Sequence, residues 1–343
     1  MKERITIKDI SKEIGVSVTT VYKALNNKPK VSEDMRQRIL DKAAELNYTP
    51  NKLAQALASN VRNIWVIIPR DPVEFFRYAY AGIQEAAREL EDFKVQCIIK
   101  EVSTEEDTRR TVRELLQADV AGVVIEPNNI MSGIYSNMDK KVPFDVPVIS
   151  FVSEPIDGTP LIGVIRSNGI VLGRVAAQVL HNCVKNNKVA VFWPEGITHI
   201  HQECGTGFME ECKLRQMNCV GCFDVTISQE NAYRRTGEVV AQIPDLGGIY
   251  VASYNAVGVC RKLEEMGRTD IKVVGHDLYP ELVACIERGS LEATLFQNQY
   301  QLAREAVTSL FIHITEKKEP PGWRFHRPEI VMRSNLECYA GMY

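Results

Sequence analysis

The chain has 343 residues, 45% of them apolar and 25% charged, with 41 Lys and Arg against 44 Asp and Glu. That length exceeds one ordinary core, so two or three domains are expected, and the composition excludes wholesale disorder. The net charge of −3 hides an asymmetry: residues 1–60 carry eleven Lys/Arg and seven Asp/Glu, while the remainder carries thirty and thirty-seven. A basic head on an acidic body is the pattern of a chain that meets phosphate at one end.

The first residues, MKERITIKDI, contain no apolar run of the roughly 7–15 residues that an export signal needs. Thr6 is placed to cap a first helix, with Asp9 completing a capping box. Ile7, Ile10 and Ile14 then share one face, and Gly15 ends the helix. Ser17 caps a second helix with Val21 and Leu25 facing inward, and Asn26, Asn27, Lys28 and Pro29 break it. Ser32 caps a third, with Glu33 and Asp34 where the helix dipole favours anions and Ile39, Ala43 and Leu46 as the buried stripe. Two helices across so tight a turn, braced by a third, describe a helix-turn-helix. A small bundle with no DNA role is the competing reading. Thr19, Tyr22 and Lys23 on the outer face of the second helix favour DNA, because hydroxyls and a cation suit base edges and phosphates.

The run ITIKDISKEIGVSVTTVYKALNNKPKVSEDMRQRILDKAAELNYTPNKLAQALAS resembles the head of the LacI-type repressor family without a gap over residues 5–59. The resemblance implies a helix-turn-helix domain over 1–50 and a hinge helix over 51–60. It also implies a dimer, or dimers paired into a tetramer, on a pseudo-palindromic double-stranded DNA operator. The family's base-reading positions correspond to Val18, Thr19, Tyr22 and Lys23, with Ser17 and Thr20 toward phosphates. Tyr22 stands where Ser is usual and Lys23 where Arg is usual, so an operator copied from relatives does not transfer. Asn51 is a good N-cap for a segment too short to be a stable isolated helix. By the resemblance it folds when paired on DNA, with Leu57 as a minor-groove wedge and Gln55 replacing a frequent arginine.

From residue 61 the pattern becomes alternating strands and helices. Strand-like runs lie at 64–68, 95–99, 120–125, 146–151, 161–165, 188–193, 247–252 and 271–275. Amphipathic helices lie between them, such as Phe76/Ala79/Ile83/Ala86/Leu90 and Leu172/Ala176/Val179/Leu180/Cys183. Such alternation means βαβ units with parallel sheets, and some ten strands exceed one compact sheet. The expected fold class is therefore α/β: a small all-α helix-turn-helix domain, then two parallel-sheet lobes. The resemblance, looser here, implies a periplasmic-binding-protein-like (type I) effector-binding and dimerisation domain over 61–343. It places one lobe at about 61–160 plus 294–320 and the other at about 161–293 plus 321–343.

Ligands of such open sheets sit beyond the carboxyl ends of the strands. The family's sugar-contacting pattern matches Phe75 and Phe76 as a stacking pair, Asp277 as acceptor from vicinal hydroxyls and Gln297 at a crossover. Other positions depart from it: Cys204 stands where an arginine is common, Asn168 where an acid is common, and Ser253 where the usual Asn-Asp pair falls. The strand exit Val152-Ser153-Glu154 also departs from the sugar pattern. All three substituted positions remain candidate effector contacts, with a sugar or a sugar derivative as the effector, or something else held by His199, His201, Tyr254 and Asn255.

His199, His201, Cys204, Cys212, Cys219 and Cys222 crowd together, but no second CxxC accompanies Cys219 and Cys222, and these two are expected to face opposite ways at a strand start. Packing is the reading taken, with no metal or other cofactor and no catalytic residue. Nine cysteines without an export signal suggest reduced thiols. No GxGxxG, P-loop, HExxH or GxSxG motif argues for an enzyme. A solute-binding transport protein would share the two lobes but not the head. No run approaches the roughly 18 apolar residues of a membrane span, so the expectation is a cytoplasmic transcription regulator, most simply a repressor. A corepressor-dependent or activating regulator with a non-sugar effector is the alternative.

Overall fold

The computed structural model describes residues 5–25, 28–46, 48, 61–70, 73–127, 146–154, 160–194 and 198–342. The expected hinge segment 51–60, with Asn51, Gln55 and Leu57, lies outside the described residues. The chain divides into two compact units near Val61.

The first unit holds α1 (Ile7–Ile14), α2 (Val18–Leu25) and α3 (Glu33–Glu45). Each start follows from its cap. The Asp9 carboxylate accepts from the Thr6 backbone N–H at 2.8 Å and from its hydroxyl at 2.7 Å. Ser17 Oγ accepts from Thr20 N at 3.0 Å, and Ser32 Oγ from Met35 N at 3.4 Å. Gly15, at φ 74°, takes the left-handed turn that lets α1 stop and α2 begin within three residues. Ile10, Val21, Ala24, Ile39 and Ala43 form the core, flanked by Ile7, Ile14, Leu25, Leu46 and Tyr48. Burying each large aliphatic side chain there stabilises the unit by about 1.5–3 kcal/mol.

The second unit contains two six-stranded sheets. One has the order β11-β5-β4-β3-β1-β2 and the other β12-β10-β9-β8-β6-β7. The first is built from β1 (Arg62–Pro69), β2 (Val95–Val102), β3 (Gly122–Ile125), β4 (Val148–Phe151), β5 (Gly163–Ser167) and β11 (Gly322–His326). The second uses β6 (Lys188–Trp193), β7 (Asn218–Asp224), β8 (Gly248–Val251), β9 (Lys272–His276), β10 (Ala293–Phe296) and β12 (Glu329–Val331). Every pairing is parallel except β10 with β12. Helices cover both faces, which is why the central strands read as unbroken apolar runs rather than alternating ones.

Around the first sheet pack α4 (Val73–Glu91), α5 (Glu105–Gln117) and α11 (Gln299–Glu316). Around the second pack α6 (Gly169–Cys183), α7 (His199–Leu214), α8 (Gln229–Gln242), α9 (Ala256–Glu265) and α10 (Pro280–Arg288). α6 packs tightly against α7, and glycine makes it possible. A Cβ on Gly173 would lie 2.0 Å from the Cys204 carbonyl oxygen, and one on Gly207 2.1 Å from that of Ile170.

The chain changes lobe three times, at Asn168, at Gln297–Asn298 and at Arg327–Pro328, each a few residues later than the sequence suggests. The reason is pairing. Gly163–Ser167 is buried throughout and joins β4, so the first lobe runs to Ser167. Ala293–Phe296 pairs with β9 and stays in the second lobe. β11 returns to β5, although its exposed Trp323, Arg324 and Phe325 give no buried-strand signal. A bulge between Val189 and Val191 corrects another expectation: Cys219 and Cys222 oppose those two valines and share one side of β7.

Candidate functional site

In the head, the outward side of α2 presents Ser17, Val18 and Thr19 as exposed residues, with Thr20, Tyr22 and Lys23 half-buried. The Ser17 and Thr20 hydroxyls are 2.8 Å apart and bonded to each other. Lys28 Nζ lies 5.0 Å from the centre of the Tyr22 ring. Sequence reasoning missed Arg36, which fixes this helix from α3. Its guanidinium donates to the carbonyls of Ala24 at 3.1 Å, Lys28 at 3.0 Å and Lys23 at 3.4 Å. The carbonyls of Lys23 and Ala24 lie in the last turn of α2 and that of Lys28 just beyond it, and a cation there complements the helix dipole.

In the second unit a cleft of about 820 Å³, part of it open to solvent, lies at the carboxyl ends of both sheets. From the first lobe it is lined by Phe75 and Phe76 of α4, by Glu126 just past β3, and by Val152 and Ser153 past β4. From the second lobe come Thr198, Ile200, His201 and Cys204 around the start of α7, Ile227 past β7, Ser253 and Tyr254 past β8, and His276 and Asp277 at the end of β9. Gln297 stands at the crossover between lobes.

The structure therefore gathers Phe75, Phe76, Cys204, Ser253, Asp277 and Gln297 into one cavity, with His201 and Tyr254. Asn168 is not among its lining residues. It caps α6, its Oδ1 accepting from Val171 N at 3.1 Å. His199 is exposed at the start of α7, and the Asn255 amide donates to the Thr226 carbonyl at 2.6 Å. Neither lines the cleft.

Asp277 is the most constrained of these groups. Its backbone sits at φ 69°, a left-handed conformation that Asp and Asn tolerate better than most residues. Its Oδ1 accepts from Gln297 Nε2 at 3.1 Å and Gln299 Nε2 at 2.6 Å. Its carbonyl accepts from Thr294 Oγ1 at 2.7 Å. Burial pushes the carboxyl up from 3.8 to about 7 against the pull of the two amides. Behind it, Tyr250 OH and His276 Nε2 are 2.5 Å apart, and burial holds the imidazole down at about 3. His201 Nδ1 pairs with Thr198 Oγ1 at 2.7 Å, and burial lowers its value to about 4. Both rings are thus neutral at ordinary pH.

Glu126 is a second buried acid that the sequence reading passed over. Ser153 Oγ donates to its Oε1 at 2.7 Å, while Oε2 is buried with no partner among the described residues. Burial, eased by that one hydrogen bond, raises the carboxyl to about 7. The available signal was positional: the buried run of β3 ends at Ile125, and the residue after a strand's carboxyl end is where such folds place ligand contacts.

An ion cluster beside the first crossover links the lobes. Arg166 of β5 makes a two-pronged pair with Glu203 of α7 at 2.7 and 2.8 Å and reaches Glu154 at 3.3 Å. Glu203 also accepts from Gly169 N at 3.2 Å, and its neighbour Cys204 lines the cleft. Among the described residues no three His, Cys, Asp or Glu converge as metal ligands. Cys212 is buried in α7, and Cys222 Sγ lies 3.5 Å from Met209 Sδ.

Comparison with known proteins agrees with this division. Residues 6–51 match the family described as bacterial regulatory proteins, lacI family, and residues 64–318 match the periplasmic binding protein domain. The chain belongs to the LacI-type regulators. It is similar to the ribose operon repressor of Bacillus subtilis, 26% identical over 326 residues that span 92% of this chain and 93% of that one. It is also similar to the repressor PurR of Haemophilus influenzae, at 23% over 97% and 98% of the two chains. Among solved structures, a glucose-galactose binding protein from Geobacillus stearothermophilus matches at a TM-score of 0.71 and 18% identity, over 80% of this chain and 99% of that one. A putative LacI transcriptional regulator from Bacteroides fragilis matches at 0.70 and 16%, over 81% and 99%. As a LacI-type regulator the protein is a DNA-binding transcription factor with an effector domain of the periplasmic-binding-protein fold, and none of the described helices is long and apolar enough to cross a membrane.

Proposed function

We propose that this LacI-type regulator is a cytoplasmic homodimeric repressor whose operator affinity is set by a carbohydrate held in the cleft. One observation carries the effector class: Asp277 and Gln297, buried and hydrogen-bonded to each other, line the same cleft as the Phe75–Phe76 pair. A sugar ring has the matching chemistry, hydroxyls around its edge and an apolar face for an aromatic ring. The two phenyl rings stand 4.9 Å apart at 88°, giving the cleft a corner rather than a flat wall.

Val18, Thr19, Tyr22 and Lys23 read bases in the major groove, Ser17 and Thr20 meet phosphates, and Leu57 enters the minor groove from a hinge begun by Asn51. A ligand touching both lobes favours their closed arrangement, and that shift changes the spacing of the two hinge segments in a dimer. The effect on DNA is limited to the ligand's differential affinity for the two arrangements.

The test is a melting-temperature screen of the full chain against pentoses, hexoses and polyols. A ligand at a hundred times its Kd stabilises the folded state by about 2.7 kcal/mol. A shift with a carbohydrate that disappears in Asp277→Ala supports the reading, and a shift retained in that variant removes Asp277 from the site. Leu57→Ala weakens specific but not nonspecific DNA binding, and equal loss of both contradicts the wedge.

A further inference from the structure

The cleft is rich in acceptors and poor in cations. Among the described residues, Glu126 Oε2 and Gln297 Oε1 are buried acceptors without a hydrogen-bond donor, and both side chains line the cleft. Among the described lining residues there is no lysine or arginine, and both histidines are neutral. An unpartnered buried acceptor forfeits a hydrogen bond it would have had in water, and a carboxylate loses more. A ligand that fits this wall supplies donors and positive charge.

We propose that the effector is a hydroxylated organic cation of the amino-sugar type, its protonated amine on Glu126 and its hydroxyls on Asp277 and the Gln297 carbonyl. This rests on the carbohydrate reading above and narrows it. A neutral sugar donates a hydroxyl to Glu126 Oε2 but leaves the ionised carboxylate without a counter-charge. An ammonium supplies three donors and the charge together. The faces of Phe75 and Phe76 add attraction for a cation. Sugar phosphates and sugar acids bring a like charge into a wall already holding two carboxyls, which disfavours them.

Proton release follows from the same contact. Burial holds Glu126 near 7, so below neutral pH much of it is protonated, and an arriving ammonium drives the proton off. The other titratable side chains in the cleft wall are Asp277, His201, His276, Tyr254 and Cys204.

The experiment is isothermal titration of the full chain with glucosamine, galactosamine and mannosamine, each paired with its parent hexose. It is run in two buffers of different ionisation enthalpy. One amine should bind at least about tenfold tighter than its parent, with proton release. Glu126→Gln, which keeps the acceptor for Ser153, should erase that preference and most of the release, weakening the amine far more than its parent hexose. Parent hexoses binding as well as their amines would overturn the inference while leaving the carbohydrate reading intact. So would a preference that survives in Glu126→Gln. No heat from any of the six sugars would overturn both. The amine-to-parent ratio and the proton release in the unaltered protein need no variant, so poor folding of Glu126→Gln leaves the inference testable.

Discussion

Replacing Asp277 by Asn is predicted to stabilise the ligand-free protein while abolishing its carbohydrate response. Asp277 is 3% exposed, and burial lifts its carboxyl from 3.8 to about 7. An acid raised in the folded state destabilises only when ionised. The cost is absent below the unfolded value, grows as pH rises, and is complete above the folded value. A gap of about 3 pH units at about 1.4 kcal/mol each gives a full cost of about 4 kcal/mol, of which roughly half enters between pH 5.5 and pH 8. Asn removes the charge, keeps a carbonyl oxygen for the Gln297 and Gln299 amides, and suits φ 69°. Thermal denaturation of the full chain should therefore show Asp277→Asn melting higher at pH 8, by about 5–10 °C, and by about half as much at pH 5.5. A variant that melts below the unaltered protein at both pH values would refute the reasoning. An offset independent of pH would do the same.

Three further outcomes follow from the packing. Arg36→Ala removes donors from three carbonyls at the end of α2; it should destabilise the head by about 1–3 kcal/mol and lower DNA affinity, read by circular dichroism and anisotropy. Gly173→Ala places a Cβ 2.0 Å from a backbone oxygen, so α6 and α7 must separate. A loss of several degrees in Tm is expected, and an unchanged Tm would mean the helices part freely. Glu203→Ala leaves Arg166 with Glu154 as its one carboxylate partner among the described residues; because Glu203 is 29% exposed, the loss should sit near the low end for a buried pair, about 3 kcal/mol. It should also change carbohydrate affinity, since the pair joins the lobes, and an unaltered affinity would confine its role to stability.

Much of this was legible in the sequence, for identifiable reasons. The caps Thr6, Ser17 and Ser32 act within three residues, so local chemistry alone places the head's helices. The central strands announce themselves because both faces are covered. The edge strands do not: β7 is bulged, β11 exposes Trp323 and Phe325, and β12 is three residues long. The lobe boundaries slipped for the same reason, since partners distant in sequence decide which sheet Gly163–Ser167 joins. In the cleft, Asp277 stands at the end of β9 and Gln297 at a crossover just past β10, places that the apolar strand runs mark. Glu126 and Gln299 carry no motif, and their burial emerges only when the strands are assembled. Asn168 shows the converse, a candidate contact whose side chain closes a helix instead.

The central claim is that a carbohydrate in the cleft controls DNA binding by the head. The most direct measurement is fluorescence anisotropy of the full chain on a duplex selected from random DNA, titrated with the carbohydrate that raises Tm most. The account predicts release from the selected duplex as the sugar saturates, and no release from the same duplex when Asp277→Asn is used. Sugar binding that leaves DNA affinity unchanged would contradict it, because occupancy of the cleft would then be uncoupled from the head.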